Sequence, residues 1–162
     1  MHGIIYQISN KRVDRDDYIN EDSVSEGEMA GFDYLYDTKK EERRERIQNL
    51  AENVLPKGMF TIAPDGEALV YQGGFAEWRK SYLELLRTKT ADINEGNIME
   101  WIGPAYQLQK AIVNPLDCAS YFVTEANGGY GTAERSRDLM LMIDRLEAGA
   151  KLYIGAILGY HI

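Results

Sequence analysis

The sequence predicts an α+β fold in a single domain, residues 1–162, with a mostly antiparallel sheet covered by about four helices. Three observations predict it. Both ends of the chain, residues 2–9 and 150–161, are rich in β-branched and aromatic residues, as strands require. Two strand-like runs, Met59-Phe-Thr-Ile-Ala and Ala68-Leu-Val-Tyr-Gln, flank a Pro64-Asp65-Gly66-Glu67 turn and read as a β-hairpin. Several intervening stretches carry apolar residues at helical spacing.

Taken in order, Gly3 to Ile8 forms the first strand and Asn10-Lys11 ends it. Residues 12–37 have two patterns. Met29, Phe32 and Leu35 suit a short helix, whereas Phe32, Tyr34 and Tyr36 alternate as in an edge strand; loop plus short helix is preferred. Thr38 to Leu55 reads as a helix with Thr38 as N-cap and Ile47, Leu50, Ala51, Val54 and Leu55 on its inner side, ended by Pro56 and Gly58. After the hairpin, Phe75, Trp78, Tyr82, Leu85 and Leu86 define a second helix reaching about Lys89. Ile98 to Ile112 continues at helical spacing, divided at Gly103-Pro104, and Asn114-Pro115 closes it. Ser120 to Glu125 is a strand, Asn127 to Gly131 a flexible connection, and Thr132 the cap of a helix running to about Ala148. Residues 152–158 are nearly all apolar or glycine, the pattern of a strand buried on both faces. The sheet is expected to be covered on one face.

Composition narrows the function classes. At 162 residues and 44% hydrophobic content, one folded domain with its own core is expected. The single thiol, Cys118, permits no internal disulfide or multi-cysteine zinc site, which suits a reducing, cytoplasmic setting. Neither a secretory signal nor a membrane span is predicted, since the longest apolar run, Leu152 to Tyr160, is short and interrupted by two glycines. Charge is concentrated: residues 12–37 hold nine acidic side chains against Arg12 and Arg15, which is −7 of the chain's −8. No basic stripe offers itself to phosphates, so direct nucleic-acid binding is not expected.

Candidate chemistry is sparse. The stretch from Tyr121 to Asp138 reads as strand, glycine loop and helix start, an order that can present backbone N–H groups to an anion. Asn127, Gly128, Gly129, Gly131, Thr132, Arg135 and Arg137 are its candidate ligand residues. Glu134, however, stands where a dinucleotide motif has its third glycine, and no phosphate-cradling lysine lies between Lys110 and Lys151. His2 and His161 become neighbours only if the terminal strands pair antiparallel, and no third ligand accompanies them, so no metal site is assigned. Cys118 has no cysteine-protease signature around it, and no serine sits in a Gly-x-Ser-x-Gly elbow. Asp14-x-Asp16 opens like a calcium loop, but Tyr18 replaces the next oxygen ligand and the required glycine is missing.

The acidic arm carries the leading expectation. Asp14, Asp16, Asp17, Tyr18, Tyr34 and Tyr36 together suit docking on a basic protein partner, with nucleic-acid mimicry as a weaker variant. A non-enzymatic interaction or regulatory protein without a cofactor is therefore expected, its partner another protein or a second copy of itself. The alternative is a small anionic-ligand-binding protein or enzyme with its site at residues 127–137.

Overall fold

The computed structural model describes residues 2–26, 31–125 and 132–162. In chain order the elements are β1 (His2–Ser9), a 3-10 turn (Arg15–Asp17), β2 (Ser25–Glu26), β3 (Tyr34–Asp37), α1 (Lys40–Asn49) with a π-helical turn (Leu50–Val54), β4 (Phe60–Ile62) and β5 (Ala68–Tyr71). They continue with α2 (Phe75–Ala91), α3 (Pro104–Val113), β6 (Tyr121–Val123), β7 (Thr132–Ala133), α4 (Arg137–Ile143) and β8 (Lys151–His161). The main sheet runs β4-β5-β8-β1-β6, with β3 also pairing β8, and it is antiparallel except for β1 against β6. A separate parallel pair joins β2 and β7. The expected α+β sheet of terminal strands and central hairpin is thus present.

β8 sits at the centre because its side chains are apolar on both faces. β1 pairs one of its edges, while β5 takes the other edge at Lys151–Tyr153 and β3 takes it at Leu158–His161. The β1–β8 register shifts midway: Tyr6 faces Ile157 and Ile8 faces Ile154, so Gln7 alone opposes Gly155 and Ala156. This is a β-bulge, whose extra residue leaves ladder groups without their usual partners.

Two polar side chains, one buried and one partly buried, satisfy those groups. Gln7, 7% exposed, accepts hydrogen bonds at Oε1 from Ala156 N–H (3.0 Å) and Ile19 N–H (3.1 Å), and its Nε2 donates to the Asp17 carbonyl (2.9 Å). Arg43 reaches in from α1 and donates to the carbonyls of Gly155 (2.6 Å) and Ile154 (2.8 Å), while Glu67 holds its other edge at 2.7 and 3.0 Å. Gly155 has to be glycine, since a Cβ there would sit 2.5 Å from Gln7 Oε1.

The helices cover one face. Ile47 and Leu50 from α1 and its π turn, and Leu139, Met140 and Ile143 from α4, pack on Tyr6, Ile8, Phe122, Leu152, Ile154 and Ile157. The other face is not open, as the sequence suggested. Tyr18, Ile19, Val24, Phe32 and Leu35 lie over Ile5, Tyr121, Val123, Ala156, Leu158 and Tyr160. The acidic arm is therefore a cover: these five side chains point inward, while Asp14, Asp16, Asp17, Glu21, Asp22, Asp33 and Asp37 are left on the outside.

Four further expectations are corrected. The arm's end is a strand rather than a short helix, because β8 beyond the bulge offers β3 a free edge. Thr38 does not cap α1: its N–H donates to the Ile157 carbonyl (3.1 Å) and continues the β3 ladder, so the helix starts at Lys40. Thr132 does not cap α4. It belongs to β7, Glu134 then exchanges two backbone hydrogen bonds with Phe122, and the helix spans only Arg137–Ile143. Ile98 to Ile102 is a series of turns with its apolar side chains in solvent, because only Pro104–Val113 runs as a helix against α2.

Replacing Gln7 with leucine should destabilise the fold by about 2–4 kcal/mol, since two buried N–H groups lose their acceptor at about 1–3 kcal/mol each. Urea unfolding measures this, and a loss below about 0.5 kcal/mol would mean that the bulge does not depend on Gln7.

Candidate functional site

β3 builds the most distinctive exposed surface. Its alternation turns Leu35 towards the arm-covered core and leaves Tyr34 and Tyr36 on the opposite side of the sheet, where both remain exposed. Tyr34 is 53% exposed and Tyr36 41% exposed, with ring centroids 6.3 Å apart. Tyr36 lies over Gly159, where any Cβ would collide with its ring. Tyr34 stacks on His161 at 5.2 Å and an interplanar angle of 7°, and His161 meets His2 edge-on at 4.7 Å. Asp33 Oδ2 lies 2.9 Å from His161 Nδ1. The terminal strands pair antiparallel with His2 directly opposite His161, so the histidines are neighbours. Among the described residues, no group of three or more histidine, cysteine or acidic side chains is placed to hold a metal ion.

Beside this shelf, at the notch between β3 and β5, lies a groove of about 1340 Å³ with Ala156 and Ile157 of the bulge region at its floor. Asp14 and Tyr18 from the 3-10 segment form one wall, and Lys40, Arg43 and Arg44 of α1 another. Arg12 pairs with Asp65 at 3.2 Å and Arg43 with Glu67. The Asp65 carboxyl is held below its ordinary range, first by the Glu67 N–H and then by the Arg12 guanidinium. Arg15, Lys40, Arg44, Asp14 and Asp37 make no ion pair among the described residues, so both signs of charge line the opening.

The candidate docking residues are therefore divided. Tyr34 and Tyr36 stand on the shelf, Asp14 and Tyr18 line the groove, and Asp16 and Asp17 lie exposed on the 3-10 turn near the start of the arm. Tyr18 also has a structural task, packing against the second core under the Arg43 guanidinium, 5.8 Å from its ring centre.

Of the candidate ligand residues, Asn127, Gly128, Gly129 and Gly131 lie outside the described residues. Thr132 is in β7, four residues short of Ser136, so a strand intervenes before the helix start. Arg135 donates to the Ala119 carbonyl (3.1 Å) and stacks on the Tyr121 ring at 3.8 Å. Arg137 is exposed on the first turn of α4. Ser136 is fully buried and works as a brace instead of a cap: its Oγ donates to Asn114 Oδ1 (2.7 Å) and accepts from Leu116 N–H (3.0 Å). Cys118 is half-buried, and burial raises its thiol above the ordinary range, which disfavours a thiolate nucleophile.

Sequence reasoning missed the stacking of Tyr34 on His161 and the Asp33–His161 contact, both created by a pairing register between distant segments. The glycines of β8 were the available signal, since Gly159 is where an aromatic ring approaches the strand.

Buried phenols give a pH prediction. Burial raises the hydroxyls of Tyr6, Tyr121 and Tyr160 above their ordinary value, and Arg135 opposes this at the latter two. The folded chain then keeps protons that the unfolded chain releases, so stability is full below the ordinary tyrosine value of about 10 and falls as pH rises through it. Urea midpoints should drop between about pH 8 and pH 10.5, and less steeply in Tyr160→Phe; an unchanged midpoint would contradict the assignment.

No helix among the described residues is long and apolar enough to cross a membrane. Comparison with known protein families, with curated proteins and with solved structures finds no match to this chain.

Proposed function

We propose that this chain is a non-enzymatic interaction protein that docks a protein partner on the acidic, tyrosine-bearing surface around β3. The observation that carries the proposal is the pair Tyr34 and Tyr36, half-exposed yet seated by His161 and Gly159. Large rings held in place lose little entropy on binding, which is why tyrosine is enriched where interfaces concentrate their energy. Asp33 and Asp37 flank the rings, and Asp14, Asp16 and Asp17 extend the negative field along the arm. A basic partner segment would meet aromatic faces for its guanidinium groups and carboxylates at the rim.

The test is affinity capture with the intact chain against Tyr34→Ser/Tyr36→Ser. The double variant should lose at least tenfold in capture of whatever the wild type retains, and the wild-type signal should weaken with salt. Equal capture by both proteins would refute the shelf as the docking surface. Asp14→Asn/Asp16→Asn/Asp17→Asn should slow association more than it speeds dissociation.

The alternative, an anionic ligand at residues 127–137, is supported by the exposed Arg137 guanidinium. It predicts that inorganic phosphate or nucleotides raise the melting temperature of the wild type and not of Arg137→Ala. A flat response in both would retire it.

A further inference from the structure

The hairpin of α2 and α3 is fixed to the rest of the molecule at its base, where Phe75 and Trp78 pack on the main core and Arg79 pairs with Asp144, and is little buried beyond it. Of α2's seventeen residues only Phe75 is buried, and none of α3's ten residues is. Tyr82 joins the two helices, its hydroxyl donating to the Ala111 carbonyl (3.0 Å), and Trp78 one turn earlier on α2 stacks on its ring at 5.0 Å and holds it in place. α2 alone extends about 25 Å at 1.5 Å per residue. At the far end the turns between the helices are ordered by backbone hydrogen bonds from Ile98, Glu100 and Gly103, yet they point four large apolar side chains into water. Met99 and Trp101 are each 91% exposed, Ile102 68% and Ile98 48%. Together they open on the order of 600 Å² of apolar side chain, the upper end of what one patch on a monomer exposes and most of the roughly 800 Å² each partner gives to a standard interface.

We propose that the occupant of this surface is a second copy of the same chain, with two hairpins pairing antiparallel about a two-fold axis so that each tip reaches the base of the other. Three observations support a self-complementary fit. First, the base of α2 carries a groove of about 460 Å³ lined by Met59, Gly74, Trp78 and Ser81, large enough to take an indole side chain. Second, Gly74, Trp78, Ser81 and the exposed Leu85 lie at helical spacing, so the side of α2 that lines this groove presents an exposed leucine one turn further up. An axis near Leu85 makes the tip-to-base distance the same in both directions, as an isologous contact requires. Third, charge permits it. The chain carries −8, with −7 in residues 12–37, but residues 75–113 hold five acidic and five basic side chains. Two copies meeting there avoid the repulsion that other faces would bring. The tip is acidic through Asp92, Glu95 and Glu100, while at the base Lys57 of the groove and Lys80 beside it outnumber Glu77, so antiparallel pairing sets a net negative tip against a net positive base.

This surface is separate from the β3 shelf, so the two proposals fail independently. Sedimentation equilibrium of the full chain should give twice the 18.4 kDa monomer mass. Trp101→Ser should weaken association at least tenfold while leaving the melting temperature unchanged at dilutions where both proteins are monomeric, since the side chain touches little in its own monomer. Lys57→Glu/Lys80→Glu should weaken it as well, and adding Glu95→Lys/Glu100→Lys should restore it. Tyr34→Ser/Tyr36→Ser should leave it unchanged. A wild type that stays monomeric at millimolar concentration overturns the proposal, as does a dimer indifferent to Trp101→Ser. A monomer that sediments with phosphatidylcholine vesicles through Trp101 also overturns it and assigns the tip to a lipid surface.

Discussion

The β8 bulge and its two polar clamps are the constraint on which most of this molecule depends. An extra residue in a central strand would ordinarily leave buried N–H and C=O groups unpaired, at about 1–3 kcal/mol each. Here Gln7 takes the Ala156 N–H and Arg43 takes the carbonyls of Ile154 and Gly155. The same Gln7 amide accepts from Ile19 and donates to Asp17, so the group that repairs the strand also anchors the arm. Arg43 likewise ties α1 and, through Glu67, the hairpin to the bulge. Four segments far apart in sequence converge on one irregularity.

The bulge also decides what each face displays. Below it Leu152 and Ile154 point to the helices; above it that role passes to Ile157, and Ala156, Leu158 and Tyr160 turn to the arm. A one-residue slip inverts every side chain in a strand. The bulge is such a slip built into β8, and it brings His161 opposite His2 and beside Tyr34. The aromatic shelf therefore exists because the sheet is irregular below it. Its negative surroundings follow from the same packing, since the arm spends Tyr18, Ile19, Val24, Phe32 and Leu35 on the second core and leaves Asp14, Asp16, Asp17, Asp33 and Asp37 in solvent beside Tyr34 and Tyr36.

The α2–α3 hairpin obeys a different logic. It is amphipathic enough to hold two helices together, but it contributes one buried residue to the sheet's core, so its length serves no purpose in closing that core. An ordered tip of exposed tryptophan and methionine is costly to keep in water. The two proposed surfaces, the shelf and the hairpin, occupy different parts of the molecule, so self-association at one would leave the other free for a partner.

Local chemistry was legible from the sequence alone. The strand propensity of residues 2–9 and 150–161, the Pro-Asp-Gly hairpin and the stripe of α2 are encoded within a few residues of where they act, so α+β class and the burial of β8 could be read directly. The clustering of acid in residues 12–37 and the alternation of Tyr34 with Tyr36 were visible too, but not which competing pattern would prevail. Only tertiary structure decided that, by offering β3 the free edge of β8. It likewise took Thr132 into a strand against β2, spent Ser136 on Asn114, and left Trp101 outside any core although its spacing suited a helix. Each of these outcomes turns on a partner tens of residues away, and periodicity reports only what a residue's near neighbours permit. Gln7 is the extreme case: in sequence it merely interrupts an apolar run, and its role appears when residue 156, 149 positions later, arrives beside it.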